Sequence, residues 1–272
     1  MSKIFEQWIN GNGFPDTLVI DGHIHIGAWA HAATFKNLDE AVNESVRYMD
    51  ANGVDAFCSL GGGYMLGLSD YPLGNDFLVA MWHRMPERMI PFLSINPNDT
   101  LENIKKELNR MYSAGVRCIK LINAYQLNYP GDGPNLMAVY EFAEDHNMLV
   151  INHAWTEAEI RKIAERFKGV DFIFAHYGGG FQDGVMQTYS NVNTNIWVYG
   201  KMGWLDRGIK KLGASRFMLG SDGFLNSLSV GIGPIVFADI TDDEKRMMLG
   251  LNVAKLLNKV GALPEHLKQQ LK

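Results

Sequence analysis

The segment Leu18-Val19-Ile20-Asp21-Gly22-His23-Ile24-His25 ends an apolar run in two histidines separated by one residue. Along an extended strand, side chains at i and i+2 share a face, so His23 and His25 point the same way, and Asp21 is expected on that face with them. Two imidazoles one pleat apart can each bring a ring nitrogen to about 2 Å from a single cation. An isolated His-x-His is more often two hydrogen-bonded structural histidines. The placement recurs, however. Val150-Ile151-Asn152-His153, Ile173-Phe174-Ala175-His176 and Met218-Leu219-Gly220-Ser221-Asp222 are also apolar runs closed by a residue able to hold a metal or move a proton. Four such endings in chain order predict one shared, metal-centred site.

Eight strand-length apolar runs could position these residues: Leu18–Ile26, Val54–Leu60, Met89–Ile95, Val116–Ile122, Met148–Ile151, Asp171–Ala175, Thr194–Val198 and Arg216–Gly220. Continuous apolar runs suit strands buried on both faces. Helix-length stretches lie between them. Leu38–Ala51 sits between Asn37 and Asn52-Gly53, Thr100–Ser113 precedes Ala114-Gly115, and Pro134–His146 has proline in its first turn. Thr156–Phe167 opens on the capping-box pattern Thr-Glu-Ala-Glu, and Asp242–Val260 closes the series with an apolar stripe. Asn75–Met85 and Trp204–Leu212 are weaker helix candidates, and the glycines after Ala175 leave the sixth helix in doubt. Alternating strands and helices predict a parallel sheet of right-handed βαβ units, here a closed (β/α)8 TIM barrel in a single domain, with its core over about 18–258. A doubly wound sheet usually carries a G-x-G-x-x-G turn after its first strand, where this chain has histidines. In a barrel, the C-terminal strand ends converge on one mouth.

As a set, Asp21-Gly22-His23-Ile24-His25, Ile119-Lys120-Leu121, Asn152-His153, Ala175-His176-Tyr177-Gly178-Gly179, Gly220-Ser221-Asp222 and Gly250–Leu257 resemble the amidohydrolase superfamily, in its amidohydrolase-related branch. The resemblance implies a distorted barrel holding one or two divalent metals. The branch includes hydrolases and non-oxidative decarboxylases related to aminocarboxymuconate-semialdehyde decarboxylase. Carried over by motif, His23, His25, His153 and Asp222 are the expected metal ligands. Three neutral imidazoles and a carboxylate suit Zn²⁺, with Mn²⁺ as the alternative. His176 is expected beside the metal without ligating it, and Asp222 doubles as proton acceptor. Lys120 is either the partner of a second metal, carbamylated as in two-metal relatives, or a lysine paired with Asp222 or Asp21. One metal is favoured.

Loops after the strands carry Trp29, His31, Tyr64, Met65, Tyr125, Gln126, Trp155, Tyr177, Tyr199 and Phe224. Of these, Trp29, Tyr64, Tyr125, Trp155, Tyr177 and Phe224 are the expected lining of an aromatic substrate pocket. Arginines fall mostly on helical stretches or strand starts, with Arg207 and Lys201 the exceptions, so a polyanion clamp is not expected. The triplets Gly61–Gly63 and Gly178–Gly180 lack the Lys-Ser/Thr of a phosphate loop. In the 272 residues, 25 Lys and Arg face 30 Asp and Glu, a net charge of −5 that argues against a nucleic-acid surface. A hydrophobic share of 47% and a charged share of 20% are those of an ordinary globular chain. No apolar run approaches the ~20 residues of a membrane span, and the first ten residues do not read as a secretory signal. Cys58 and Cys118 cannot build a disulfide framework, which fits a reduced, cytoplasmic setting.

The leading expectation is therefore a metal-dependent hydrolase attacking an ester, lactone or amide of a small organic molecule. A non-oxidative decarboxylase on the same site is the alternative, and arginine scarcity places it second. An inactive metal-binding sensor or scaffold is the third reading. A homodimer is expected from the resemblance alone.

Overall fold

The computed structural model describes residues 2–26, 35, 37–61, 70–196 and 203–271. Each apolar run overlaps a strand: β1 Ile20–Ile24, β2 Ala56–Leu60, β3 Met89–Ser94, β4 Cys118–Leu121, β5 Leu149–Asn152, β6 Phe172–Phe174, β7 Val192–Ile196 and β8 Phe217–Leu219. They pair in sequence order, all parallel, and the helices between them make a (β/α)8 TIM barrel. β7 begins two residues before the expected run. Its first positions include Asn193 and Asn195, buried polar residues that conceal the strand from a hydrophobicity pattern.

Helix ends follow local chemistry. α2 (Leu38–Asn52) opens on the Asn37 side chain, which accepts from Glu40 N, and stops at Gly53 in the left-handed region, φ 66°. α4 (Leu101–Ser113) is capped by Thr100, α5 (Pro134–Asp145) starts on its proline, and α6 (Glu157–Arg166) has the full Thr156–Glu159 capping box. α3 runs further than expected, Tyr71–Arg84, with Pro72 in its first turn. The doubtful sixth helix exists as α7 (Phe181–Thr188), and α8 (Trp204–Leu212) keeps its expected bounds. Two helices were not expected: α1 (Lys3–Ile9) and α9 (Leu228–Phe237), the latter hidden by Pro234 and two glycines. The closing helix is α10 (Asp242–Arg246), a π-turn over Met247–Leu251 and α11 (Asn252–Lys259).

Burial sorts the strand side chains into two layers. Ile20, Cys58, Phe92, Cys118, Ile151, Ala175 and Met218 cluster with Val253, Ala254 and Leu257 of α11, so the closing helix plugs the barrel interior. Phe57, Leu93, Ile119, Val150, Phe174 and Leu219 belong to the layer beneath the outer helices. Barrel closure between β8 and β1 lies at the C-terminal rim. There Asp222 N donates to His23 O at 2.9 Å and His25 N donates to Gly223 O at 3.2 Å.

Candidate metal centre

His23 and His25 reach the barrel interior through a break in β1. Ile20 pairs with Ala56 and Asp21 with Phe57, but Ile24 pairs with Ser59, so the register shifts between Asp21 and Ile24. A bulge of this kind reverses which face the following residues present. Ile20 accordingly faces inward, while Asp21, paired with the outer-layer Phe57, and Ile24 face the outer layer. This corrects the expectation that Asp21 shares a face with His23. Asp21 instead ties the two ends of the barrel together: Oδ1 accepts from His23 N at 3.0 Å and from Ser221 N at 3.1 Å, and Oδ2 accepts from Ser221 Oγ. Burial raises its carboxyl to about 6, against the lowering effect of those hydrogen bonds.

Three donor atoms converge at the rim. His23 Nε2 lies 3.1 Å from His25 Nε2, and Asp222 Oδ1 lies 3.3 Å and 3.1 Å from them respectively. A cation about 2.1 Å from each donor requires donor separations of about 3.0 Å at right angles and about 3.4 Å at the tetrahedral angle. The triangle falls within that range. His25 Nδ1 is 2.9 Å from the carbonyl oxygen of Leu60, which can only accept, so this nitrogen carries a proton and Nε2 is the atom turned to the cluster, where it could offer a lone pair to a cation. A lone pair facing a carboxylate oxygen calls for a cation or a shared proton between them. Burial, then the charge of Lys120, depresses His23 to about 3, so its ring is neutral at neutral pH. For Asp222, burial works to raise the carboxyl, but the close contacts with His23 and His25 outweigh it and hold the group well below the usual carboxylate range. Its backbone is in the left-handed region, φ 58°, a conformation uncommon outside glycine. The preceding Gly220 is required for close packing: a Cβ there would fall 2.9 Å from Asn195 Cβ and 3.0 Å from His23 Cβ. Among the described residues, His23, His25 and Asp222 form the one group of His, Cys, Asp or Glu donors close enough to share a metal ion.

The fourth expected ligand, His153, stands outside that triangle. Its Nδ1 is 3.0 Å from His176 Nε2, and the His176 ring stacks on His23 with centroids 5.0 Å apart. Burial, followed by the charge of Lys120, lowers His153 to about 3; burial, then His23 and His153, lowers His176 as well. Four imidazoles and one carboxylate thus meet at the ends of β1, β5, β6 and β8.

Lys120 is fully buried on β4, and burial brings its ammonium down to about 7, with Asp222 opposing through space. Its Nζ has no hydrogen-bond partner among the described residues, so Lys120 makes no direct hydrogen bond to Asp222 or Asp21.

Only part of the expected aromatic lining is at this mouth. Tyr125 is 58% exposed and sets its ring edge against His153, centroids 4.9 Å apart. Trp155 is a correction: it is 4% exposed, its indole N–H donates to Tyr140 Oη, and it packs on Phe172 and Phe174 in the outer layer. The Tyr177 hydroxyl donates to Asp183 at 2.7 Å, and its ring packs on Phe217, again in the outer layer. Phe224 stacks on Tyr48 of α2 and meets Phe35 edge-on. Among the described residues, the contacts of these three aromatics are with helices and the outer layer. Trp29, His31, Tyr64, Met65, Tyr199 and Lys201 lie outside the described residues.

Residues 20–259 match the family described as Amidohydrolase. The chain belongs to the amidohydrolase family. Several solved structures share the barrel of this amidohydrolase at low identity. The 5-carboxyvanillate decarboxylase of Sphingomonas paucimobilis is 16% identical, with a TM-score of 0.68 over 89% of this chain and 99% of its own. A dihydroxybenzoic acid decarboxylase from Polaromonas sp., solved with manganese and an inhibitor, is 13% identical, with a TM-score of 0.71 over 89% of this chain and 98% of its own. A probable 2-pyrone-4,6-dicarboxylic acid hydrolase from Acinetobacter baumannii is 15% identical, with a TM-score of 0.65 over 88% of this chain and 99% of its own. No curated protein matches the sequence. No helix among the described residues is long and apolar enough to cross a membrane.

Proposed function

We propose that this amidohydrolase is a divalent-metal enzyme that breaks a bond to a carbonyl-type carbon in a small organic molecule. The observation that carries the proposal is the buried triangle of His23 Nε2, His25 Nε2 and Asp222 Oδ1, with edges of 3.1 to 3.3 Å. His153 is the proposed fourth ligand, and Zn²⁺ the proposed metal, with Mn²⁺ as the alternative. When bound, the cation supplies Lewis acidity and lowers the pKa of water.

The chain's own residues do the remaining work. Asp222 turns Oδ1 to the two imidazoles, and Oδ2, which accepts a long hydrogen bond from Asn226 Nδ2, is the oxygen that accepts a proton and returns it. His176, neutral and oriented by His153 Nδ1, polarises the reacting carbonyl or carboxyl group. Tyr125 walls the mouth beside His153. In the hydrolytic form of the reaction, an ester, lactone or amide yields a carboxylic acid, and Asp222 passes water's proton to the leaving group. In the decarboxylating form, the substrate carboxylate departs as CO₂ and a proton is delivered to the carbon left behind.

Two observations put decarboxylation level with hydrolysis. Two of the solved structures above are named as decarboxylases. The barrel interior also holds a buried cation in Lys120, which offsets the scarcity of arginine at the mouth. Incubating the metal-loaded protein with a panel of aromatic and aliphatic carboxylic acids, and separately with esters, lactones and amides, tests the proposal. CO₂ release identifies a decarboxylase, and new acid with solvent ¹⁸O identifies a hydrolase. No turnover across both panels would leave a metal-binding protein without this activity.

A further inference from the structure

The inner wall carries two buried polar side chains that the chemistry above leaves unused. Register pairs Ser94 of β3 with Lys120 of β4, and two residues earlier it pairs Phe92 with Cys118, both in the inner cluster. Alternation aims Ser94 and Lys120 inward as well, at the rim end of their strands. Ser94 is 3% exposed, and neither its Oγ nor Lys120 Nζ has a hydrogen-bond partner among the described residues. Gly61 leaves room for the hydroxyl itself, since a Cβ there would collide with Ser94 Oγ. Register pairs Lys120 with Ile151 of β5, and His153 N donates to Leu121 O at 3.1 Å, so Lys120 lies just below the rim that carries the metal centre.

A buried ammonium and a neighbouring hydroxyl, both without partners, are costly unless a ligand satisfies them. The complement is an anion with two acceptor oxygens and a single charge. A phosphate dianion would call for more donors, of the kind arginine supplies. We propose that Ser94 and Lys120 are a carboxylate-binding pair, the ammonium meeting one oxygen and the hydroxyl donating to the other, so that the substrate is an organic acid anion seated beside the metal centre. The inference rests on the catalytic use of this mouth and adds the chemical class of its substrate together with two residues that select it.

Benzoate is a suitable probe and benzyl alcohol its uncharged counterpart. Binding of both is measured by calorimetry on the full chain as purified, for the native protein, Lys120→Met and Ser94→Ala, with metal content and melting curves recorded alongside. Replacing an unpaired buried charge by methionine is expected to preserve folding. Lys120→Met should weaken benzoate by about tenfold or more and Ser94→Ala by about threefold or more, with benzyl alcohol unchanged. Equal benzoate affinity in all three proteins overturns the inference, as does the absence of saturable benzoate binding to native protein. Benzoate binding that vanishes on chelation but ignores both substitutions assigns the carboxylate to the metal alone, which overturns the inference and leaves the proposed function standing. Lys120-dependent binding in a protein that turns over neither substrate panel keeps Ser94 and Lys120 as a carboxylate-binding pair but overturns both the substrate assignment and the functional proposal.

Discussion

Asp222 and His23 are joined twice, once through the backbone and once through the side chains. Asp222 N donates to His23 O at 2.9 Å, and Asp222 Oδ1 lies 3.3 Å from His23 Nε2. The bond that closes the barrel therefore also sets the distance between two proposed metal ligands. Asp222→Asn separates the two links. Asparagine tolerates the left-handed backbone at φ 58°, so the closure should survive, while the charge and the proton-accepting oxygen are lost. The variant should melt near the native temperature, hold metal more weakly and lose nearly all turnover even in excess metal. Native turnover by the metal-saturated variant would remove Asp222 from the mechanism.

Metal retention should follow the triangle. His23→Ala removes a vertex and should deplete the metal in purified protein, as measured by elemental analysis. His153→Ala should deplete it less, because His153 stands outside the triangle, bonded to His176. Full retention in a His23→Ala, His153→Ala double variant would exclude this site.

His176→Ala gives the opposite pattern. His176 reaches the cluster by stacking on His23 and bonding to His153, so most metal should remain. Turnover should fall by about 10²–10³, the range for losing one electrostatic group from an active site. Metal loss equal to that of His23→Ala would make His176 a ligand.

Asp21 predicts a stability effect without a metal effect. Asp21→Asn leaves one good acceptor where two oxygens now receive His23 N, Ser221 N and Ser221 Oγ. Denaturant unfolding should show a loss of about 1–3 kcal/mol, with metal content close to native. A metal deficit at native stability would place Asp21 in the ligand set.

The corrected pocket lining can be checked by comparing two aromatics. Tyr125→Ala, at the exposed ring beside His153, should raise KM. Trp155→Phe should leave KM unchanged and cost about 0.5–1.5 kcal/mol of stability, through the lost bond to Tyr140 Oη. An equal rise in KM for both would return Trp155 to the pocket.

The sequence by itself determined the barrel and the end of it that carries chemistry. Eight apolar runs alternating with capped helical stretches leave few architectures open, because each strand must be buried on both faces and each helix must cover it. His23, His25, His153, His176 and Asp222 were legible as a group because each directly ends or closely follows such a run, and strand direction carries all those ends to one rim. Tertiary structure decided which faces the residues use. The register shift in β1 turns Asp21 away from His23, and no local pattern signals it, since it is set by pairing with β2 and by contact with Ser221, 200 residues away. Trp155, Tyr177 and Phe224 read as mouth residues from their position after strands, but their partners Tyr140, Asp183 and Tyr48 belong to helices whose packing the sequence does not reveal. Ser94, buried opposite Lys120, is one more residue in an apolar run until the sheet register sets the two side by side inside the barrel. Period and composition act along the chain, whereas the direction and partner of a buried polar group depend on strands that meet only when the barrel closes.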